Sequence, residues 1–327
     1  MTKINLHPLL LKPTIKNYIW GGRTFEKFTD KNLPESDPVA EIWVIYGENR
    51  VQNGQLKGIP LNELVKLFGP ELIGNRYESR QTNKFPLLIK LLDCHQWLSI
   101  QVHPNDQQAV QLEGHGFSGK TEGWFVLDAE VGAQIIAGVK PDIDKLELEK
   151  SIRNGDIIDK LQHHQISKND SIFIPAGTIH ALGPGSTIYE IQQNSDVTYR
   201  VYDWDRLATA GRQLHIDKSI EVTDPKLNVH LQKFNEDSFT ILNKIFSCDY
   251  FDLNLIQSNG QTMIQNTDRE SFHSLTVIDG SALVEYKNEN YSLNQYDSIL
   301  IPAICDTYRL SGNFRLLLGS LNRNQER

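Results

Sequence analysis

The segment DSIFIPAGTIH at residues 170–180 returns as DSILIPAICDT at residues 297–307. A frame of Asp-Ser-Ile-x-Ile-Pro-Ala written twice means a structural unit built twice, so the repeat predicts two related domains within the 327 residues. In both copies a β run ends at a proline, whose ring fixes φ. The first copy continues through Gly177, which tolerates the positive φ such a turn needs, and then presents His180 at the strand mouth. The second has Thr307 in that place and no Gln-x-His pair upstream, so it is expected to keep its packing without a site.

The surrounding pattern is that of short strands. The second unit reads FHSLTVIDGSALVEYKNENYSLNQYDSILIPA, β-rich runs punctuated by Asp279-Gly280 and Asn288-Glu289-Asn290, as in an antiparallel sandwich or barrel. The first unit carries comparable strands in FPLLIKLL, WLSIQVHP, EGWFVLDA, SIFIPAG, STIYEIQQ and VTYRVYD. Helical periodicity interrupts them near 61–74, after Pro104 and near 142–164, with Asn62, Asn105 and Asp142 as expected N-caps. The charged, mixed stretch 205–235 reads as the connection between the units. Domains are expected at 1–232, with the helical insertions, and at 233–327.

Composition excludes several functions. No run approaches the roughly 18 apolar residues that span a bilayer, and Pro8 and Pro13 interrupt the start before a signal-like core can build, so a cytoplasmic protein is expected. Cys94, Cys248 and Cys305 lack the paired spacing of a disulfide framework or a thiolate zinc site. A formal charge of −8 without a basic block argues against nucleic acid as partner. An anionic substrate would have to be attracted by local positive groups.

Candidate chemistry lies in the strands of the first unit. Alternation in LSIQVHPND sets Ser99, Gln101 and His103 against Leu98, Ile100 and Val102, which places Gln101 and His103 on one face about 7 Å apart, a metal-ligand spacing. The same arithmetic in GKTEGWFVL puts Lys120 and Glu122 together, with Phe125 and Leu127 opposite. In VTYRVYD, Thr198, Arg200 and Tyr202 share a face. His95, His115, His163, His164, His215 and His273 have no partner at ligand spacing and read as surface or structural residues.

A strand followed by P-x-G-x-x-H, with an upstream Q-x-H and a later Glu, resembles the metal motifs of a cupin barrel. More narrowly, KPTIKNYIWGG, LSIQVHPND, GKTEGWFVL, IPAGTIHAL, YEIQQNSDVTYRVYDWDR and GRQLHIDK, in this order, resemble the short bacterial form of the type I mannose-6-phosphate isomerases. The resemblance runs from residue 12 to about 310. It implies a mainly β chain of two cupin-like (jelly-roll) barrels, the first with helical insertions and the second degenerate. It further implies that Gln101, His103, Glu122 and His180 hold one Zn2+ per chain, that Lys120 is an active-site base or charge, and that Arg200 is a catalytic arginine. Ser99, Glu190 and Asp196 are candidate substrate-binding residues beside them. Two departures from the family pattern are Asn169, where a glycine is usual, and Gly123, where bulkier residues are common.

Two imidazoles, a carboxylate and an amide oxygen leave a divalent site with about one net positive charge and room for a further oxygen, as a catalytic site requires. Iron or manganese could use the same ligands, so zinc follows from the resemblance. The implied reaction is interconversion of mannose 6-phosphate and fructose 6-phosphate through an enediol-type intermediate, in a monomer or homodimer whose partner is a small sugar phosphate, with no nucleic acid and no membrane. The alternatives are a non-catalytic sugar-binding cupin and an iron-dependent cupin dioxygenase. Against the first, a sensor has no need of Lys120 and Arg200 beside a complete ligand set; for the second, a His-rich site without Gln101 would be more usual.

Overall fold

A computed structural model describes residues 5–26, 38–75, 83–206, 212–233 and 242–322. The chain is mainly β, and its packing separates two compact units. One comprises Met1–Thr14, Trp43–Ile89 and Glu236–Arg327, and the other Ile15–Ile42 and Lys90–Asn235.

In the first of these units an eight-stranded antiparallel sheet is organised around two 14-residue strands, His273–Tyr286 and Thr307–Ser320, paired along most of their length. Alternation along them sends Leu275, Val277, Val284, Leu310, Leu316 and Tyr308 into one apolar core. The chain start joins this sheet, Leu9 opposite Leu300 and Leu10 opposite Ile299.

The other unit is built on two sheets. The five-stranded one runs in the order Tyr199–Tyr202, Ile100–Val102, His180–Leu182, Gln134–Val139, Leu161–Gln165. A seven-stranded sheet contains Ser171–Ile174, Glu122–Ala129 and Ser186–Gln193 as successive neighbours. One apolar core draws on both, with Ile135, Ala137 and Leu182 from the five-stranded sheet and Trp124, Val126 and Ile188 from the other. None of the sheets closes on itself through hydrogen bonds in the described residues.

The helices need three corrections. Asn105 is an N-cap as expected, its side chain accepting from the Gln108 N–H while Gln108 reaches back, a capping box for Asp106–Glu113. Asn62 is not a cap. Helix Leu61–Phe68 starts behind Pro60, and Asn62 turns its amide to the Phe85 N–H and to Glu48 instead. Asp142 is also passed over in favour of Asp144, which accepts from the Glu147 N–H. The helix expected over 142–164 lasts only for Lys145–Asn154, because Gly155 takes a left-handed φ of 80° and Leu161–Gln165 joins the sheet as a strand. Within the 205–235 connection lies a helix, Ile216–Val222. Asn169, where the family pattern has a glycine, takes a left-handed φ of 71°.

The two repeat copies end differently, and the difference reverses side-chain parity. After Pro175 the first copy turns at Gly177, with φ 89°, and His180 enters its strand with no exposed surface. After Pro302 the second makes a short 3-10 turn, Ala303–Cys305, and a left-handed Asp306, so Tyr308 points inward and Thr307 is exposed. Tyr308 occupies the interior with a 2.9 Å hydrogen bond to buried His273 Nδ1. Thr307→His is therefore expected to add a solvent-facing imidazole and no metal. Metal analysis should give the same ion-to-chain ratio as the parent protein, and an added equivalent would show that this unit retains a ligand set.

Candidate metal centre

His103, Glu122 and His180 converge from different strands, their ligand atoms all within 4.8 Å of one another. Each is placed by local sequence. Gln101 lies on strand Ile100–Val102, held there by buried Ile100 and Val102, and His103 follows directly. His180 opens its strand opposite Gln101, and Gln101 is opposite Arg200 on the other side. Arg200, Gln101 and His180 thus form one row across three neighbouring strands, with Arg200 and His180 roughly 10 Å apart at the backbone. Glu122 begins strand Glu122–Ala129 of the seven-stranded sheet, and Lys120 lies in the segment just before it.

The protonation state of the two imidazoles follows from their outer nitrogens. His103 Nδ1 lies 3.0 Å from the Val197 carbonyl, and His180 Nδ1 lies 2.9 Å from the Thr178 carbonyl. A carbonyl only accepts, so each Nδ1 carries the proton and each Nε2 presents a lone pair. Those lone pairs face the Glu122 carboxylate, His180 Nε2 at 3.2 Å from Oε1 and His103 Nε2 at 3.6 Å from Oε2. Both Glu122 oxygens are buried, and neither receives a hydrogen bond of good geometry. Acceptors converging on acceptors are what a cation resolves, so the donor set fits a metal ion.

Lys120 supplies the positive charge present among these side chains, 2.6 Å from Glu122 Oε2 and 3.0 Å from His103 Nε2. Burial, then the Lys120 ammonium, pushes His103 well below the ordinary imidazole range, which keeps it neutral. For Glu122, burial opposes ionisation, but the Lys120 ammonium outweighs it and holds the carboxyl well below its usual range. Gln101 brings its amide nitrogen to 3.2 Å of His180 Nε2. A half-turn of that amide exchanges the nitrogen for the oxygen, the atom that coordinates a cation.

The remaining sequence candidates take different positions. Arg200 is half-buried and donates from Nη1 to the Gln213 carbonyl at 3.1 Å. Burial, then the neighbouring Arg212, lowers its pKa, while Asp203 favours its charge. Ser99 is buried two residues before Gln101. Asp196 is exposed, in the loop whose next residue, Val197, holds His103. Glu190 accepts from Trp124 Nε1 at 2.9 Å and pairs with Lys90 at 3.0 Å. It therefore touches the site through Trp124, whose ring meets His180 edge-on at 5.4 Å.

Lys90, Glu41 and Trp124 are residues that the sequence reading passed over. Lys90 Nζ lies 3.0 Å from Glu190 and 3.6 Å from Glu41, all three buried. Burial by itself would lower the Lys90 ammonium, but Glu190, Glu41 and Glu122 reverse the effect and raise it. The signal was available, since Lys90 is the one charge inside the apolar run FPLLIKLL. Lys90→Met leaves two buried carboxylates without this cation. A loss on the order of 3 kcal/mol is expected in chemical denaturation, and an unchanged midpoint would show that the pair is dispensable.

Comparisons with known proteins bear on the family and the fold. The family model described as phosphomannose isomerase type I, catalytic domain, matches residues 9–117, and that of the mannose-6-phosphate isomerase cupin domain matches residues 240–320. A mannose-6-phosphate isomerase of Streptococcus mutans is 34% identical over 96% of this chain and 98% of its own. One from Bacillus subtilis is 35% identical over 96% of this chain and 99% of its own. The crystal structure of mannose 6-phosphate isomerase from B. subtilis superposes with a TM-score of 0.84 at 33% identity, covering 95% of this chain and 99% of that one. A mutant phosphomannose isomerase from Salmonella typhimurium, at 16% identity and a TM-score of 0.78 over 96% of this chain and 99% of that one, shares the fold. Near-complete coverage at this identity, two matching family models and a shared fold lead to one assignment: the chain belongs to the type I mannose-6-phosphate isomerases, aldose-ketose isomerases of the cupin superfamily.

Proposed function

We propose that the chain interconverts mannose 6-phosphate and fructose 6-phosphate through an enediol-type intermediate, with one zinc ion held by Gln101, His103, Glu122 and His180. The observation that carries this reading is the convergence of two imidazole lone pairs on one buried carboxylate, with no proton shared between the rings and the carboxylate. Bound zinc would supply a Lewis acid and a template for the sugar oxygens.

The chain's own residues account for the rest. Isomerisation removes the proton on C2 of the open-chain aldose, protonates O1, returns a proton to C1 and releases the one on O2. Negative charge therefore develops on O1 and O2 in turn, and Lys120 and Arg200 are the positive side chains that stabilise it. Buried Trp124 and the buried ligands exclude water, which strengthens those charges. Ser99, Glu190 and Asp196 provide polar support, Glu190 by fixing Trp124. The two Nδ1–H bonds to Val197 and Thr178 hold both rings with Nε2 toward the ion.

In this reading residues 1–232 form the catalytic cupin domain and 233–327 the degenerate one. The enzyme works in the cytoplasm as a monomer or homodimer on a small sugar phosphate, without nucleic acid or membrane. No helix among the described residues is long and apolar enough to cross a bilayer. A coupled assay on mannose 6-phosphate, with metal content measured on the same preparation, tests it. Turnover proportional to bound zinc supports the reading, and turnover proportional to iron or manganese replaces the metal.

A further inference from the structure

Strand Tyr199–Tyr202 lies at the edge of the five-stranded sheet, with Ile100–Val102 as its strand neighbour. An edge leaves backbone groups that something else has to satisfy. At Arg200 the short segment 213–215 does this. The His215 N–H donates to the Arg200 carbonyl at 2.8 Å, and the Arg200 N–H donates to His215 Nδ1 at 3.2 Å. The Gln213 carbonyl then accepts from Arg200 Nη1 at 3.1 Å. Backbone and guanidinium of one residue are thus held by three hydrogen bonds from two positions, Gln213 and His215.

We propose that His215 is a positioning residue for Arg200, its Nδ1 fixing the backbone from which the guanidinium reaches the substrate; this rests on the catalytic reading of Arg200. A backbone N–H can only donate, so Nδ1 is the acceptor and the ring proton sits on Nε2. His215 occupies the N-cap position of helix Ile216–Val222 yet makes no side-chain cap bond, so the ring is committed to Arg200 instead.

The segment is itself anchored on both sides. Lys218 donates to Glu113 Oε1 at 2.7 Å, and so does the Tyr199 hydroxyl at 2.7 Å, which ties the helix to the residue before Arg200. At the helix end the Asp224 N–H bonds the Gly177 carbonyl at 3.0 Å, while the Gly177 N–H bonds the His103 carbonyl at 2.8 Å. Arg200 and the metal-ligand turn are therefore referenced to the same short helix. Burial, then the Arg200 and Lys218 charges, lowers His215 below the ordinary imidazole range against the pull of Glu113, which preserves the Nδ1 lone pair.

The test compares His215→Ala, His215→Asn and His215→Gln, each alone and combined with Arg200→Lys, by steady-state kinetics, metal analysis and thermal melts. Asn keeps an acceptor on the γ-carbon, where Nδ1 sits, and Gln moves it one bond farther out. Ala and Gln are expected to lower kcat on the order of tenfold with KM and metal content near the parent values, while Asn restores most of kcat. In the Arg200→Lys background the Ala effect should shrink below about twofold, because both changes act through one guanidinium. If Ala and Gln leave kcat intact, if Asn is as slow as Gln, or if the losses multiply, the inference is overturned. Parent kinetics for Arg200→Lys alone would instead overturn the catalytic reading of Arg200.

Discussion

Alanine at His103, Glu122 or His180 is expected to remove bound metal and turnover together, with kcat falling by on the order of 10²-fold or more. Each substitution deletes a converging atom: Nε2 of either ring, or the carboxylate between them. The three differ in what they leave behind. His103→Ala and His180→Ala free the Val197 or Thr178 carbonyl but leave Glu122 paired with Lys120 at 2.6 Å. Glu122→Ala strands the buried Lys120 ammonium beside neutral imidazoles, so it should also lower stability, by about 3 kcal/mol or more. Glu122→Gln keeps the volume and separates the effects. It should retain more stability than the alanine variant while still losing metal. Full activity in a chelated, metal-free sample, or full metal content in any alanine variant, would sink the assignment.

Two pairs of candidate site residues were legible in the sequence because strand alternation is a local rule. Gln101 with His103, and Lys120 with Glu122, needed only a period of two, and strand Glu122–Ala129 matches EGWFVLDA from end to end. What closes the site is not local. The carbonyls of Val197 and Thr178 fix both histidines, and a carbonyl carries no residue-type signal. Glu190 lies ten residues before Arg200 in sequence, yet the antiparallel pairing of Ser186–Gln193 with Glu122–Ala129 sets it opposite Trp124 and within reach of Lys90. The partner of His215 is not local either, since it is a backbone N–H 15 positions away.

Helix boundaries failed for a related reason. Periodicity continues through GDIIDKLQHH, but Gly155 takes a left-handed φ and ends the helix, so propensity lost to one backbone conformation. The repeat shows the same limit from the other side. Aligning Thr307 with His180 is correct letter by letter, yet the turn Ala303–Cys305 shifts the inward position by one residue, to Tyr308. Identity of sequence frame conveyed the fold and not the facing.

Arg200→Lys is expected to be a severe kinetic mutant of a folded, metal-loaded protein. Arginine presents a planar fork of donors, and one of them, Nη1, is already committed to the Gln213 carbonyl at 3.1 Å. That bond fixes one edge of the guanidinium, on a residue whose backbone lies in register with Gln101. Lysine keeps the charge, but a single ammonium cannot hold that carbonyl and also bridge substrate oxygens in one plane. Where the contact tightens as charge develops on O1 and O2, the loss falls on kcat, on the order of 10²-fold, equivalent to about 3 kcal/mol. Where Arg200 grips the phosphate equally in ground and transition states, KM rises instead with kcat preserved. A strand arginine that serves only the sheet edge changes neither, since its backbone bonds to His215 survive the substitution. Steady-state kinetics on mannose 6-phosphate, beside a melt and a metal determination on the same preparation, separate these outcomes, and parent values of kcat and KM would remove Arg200 from the catalytic residues.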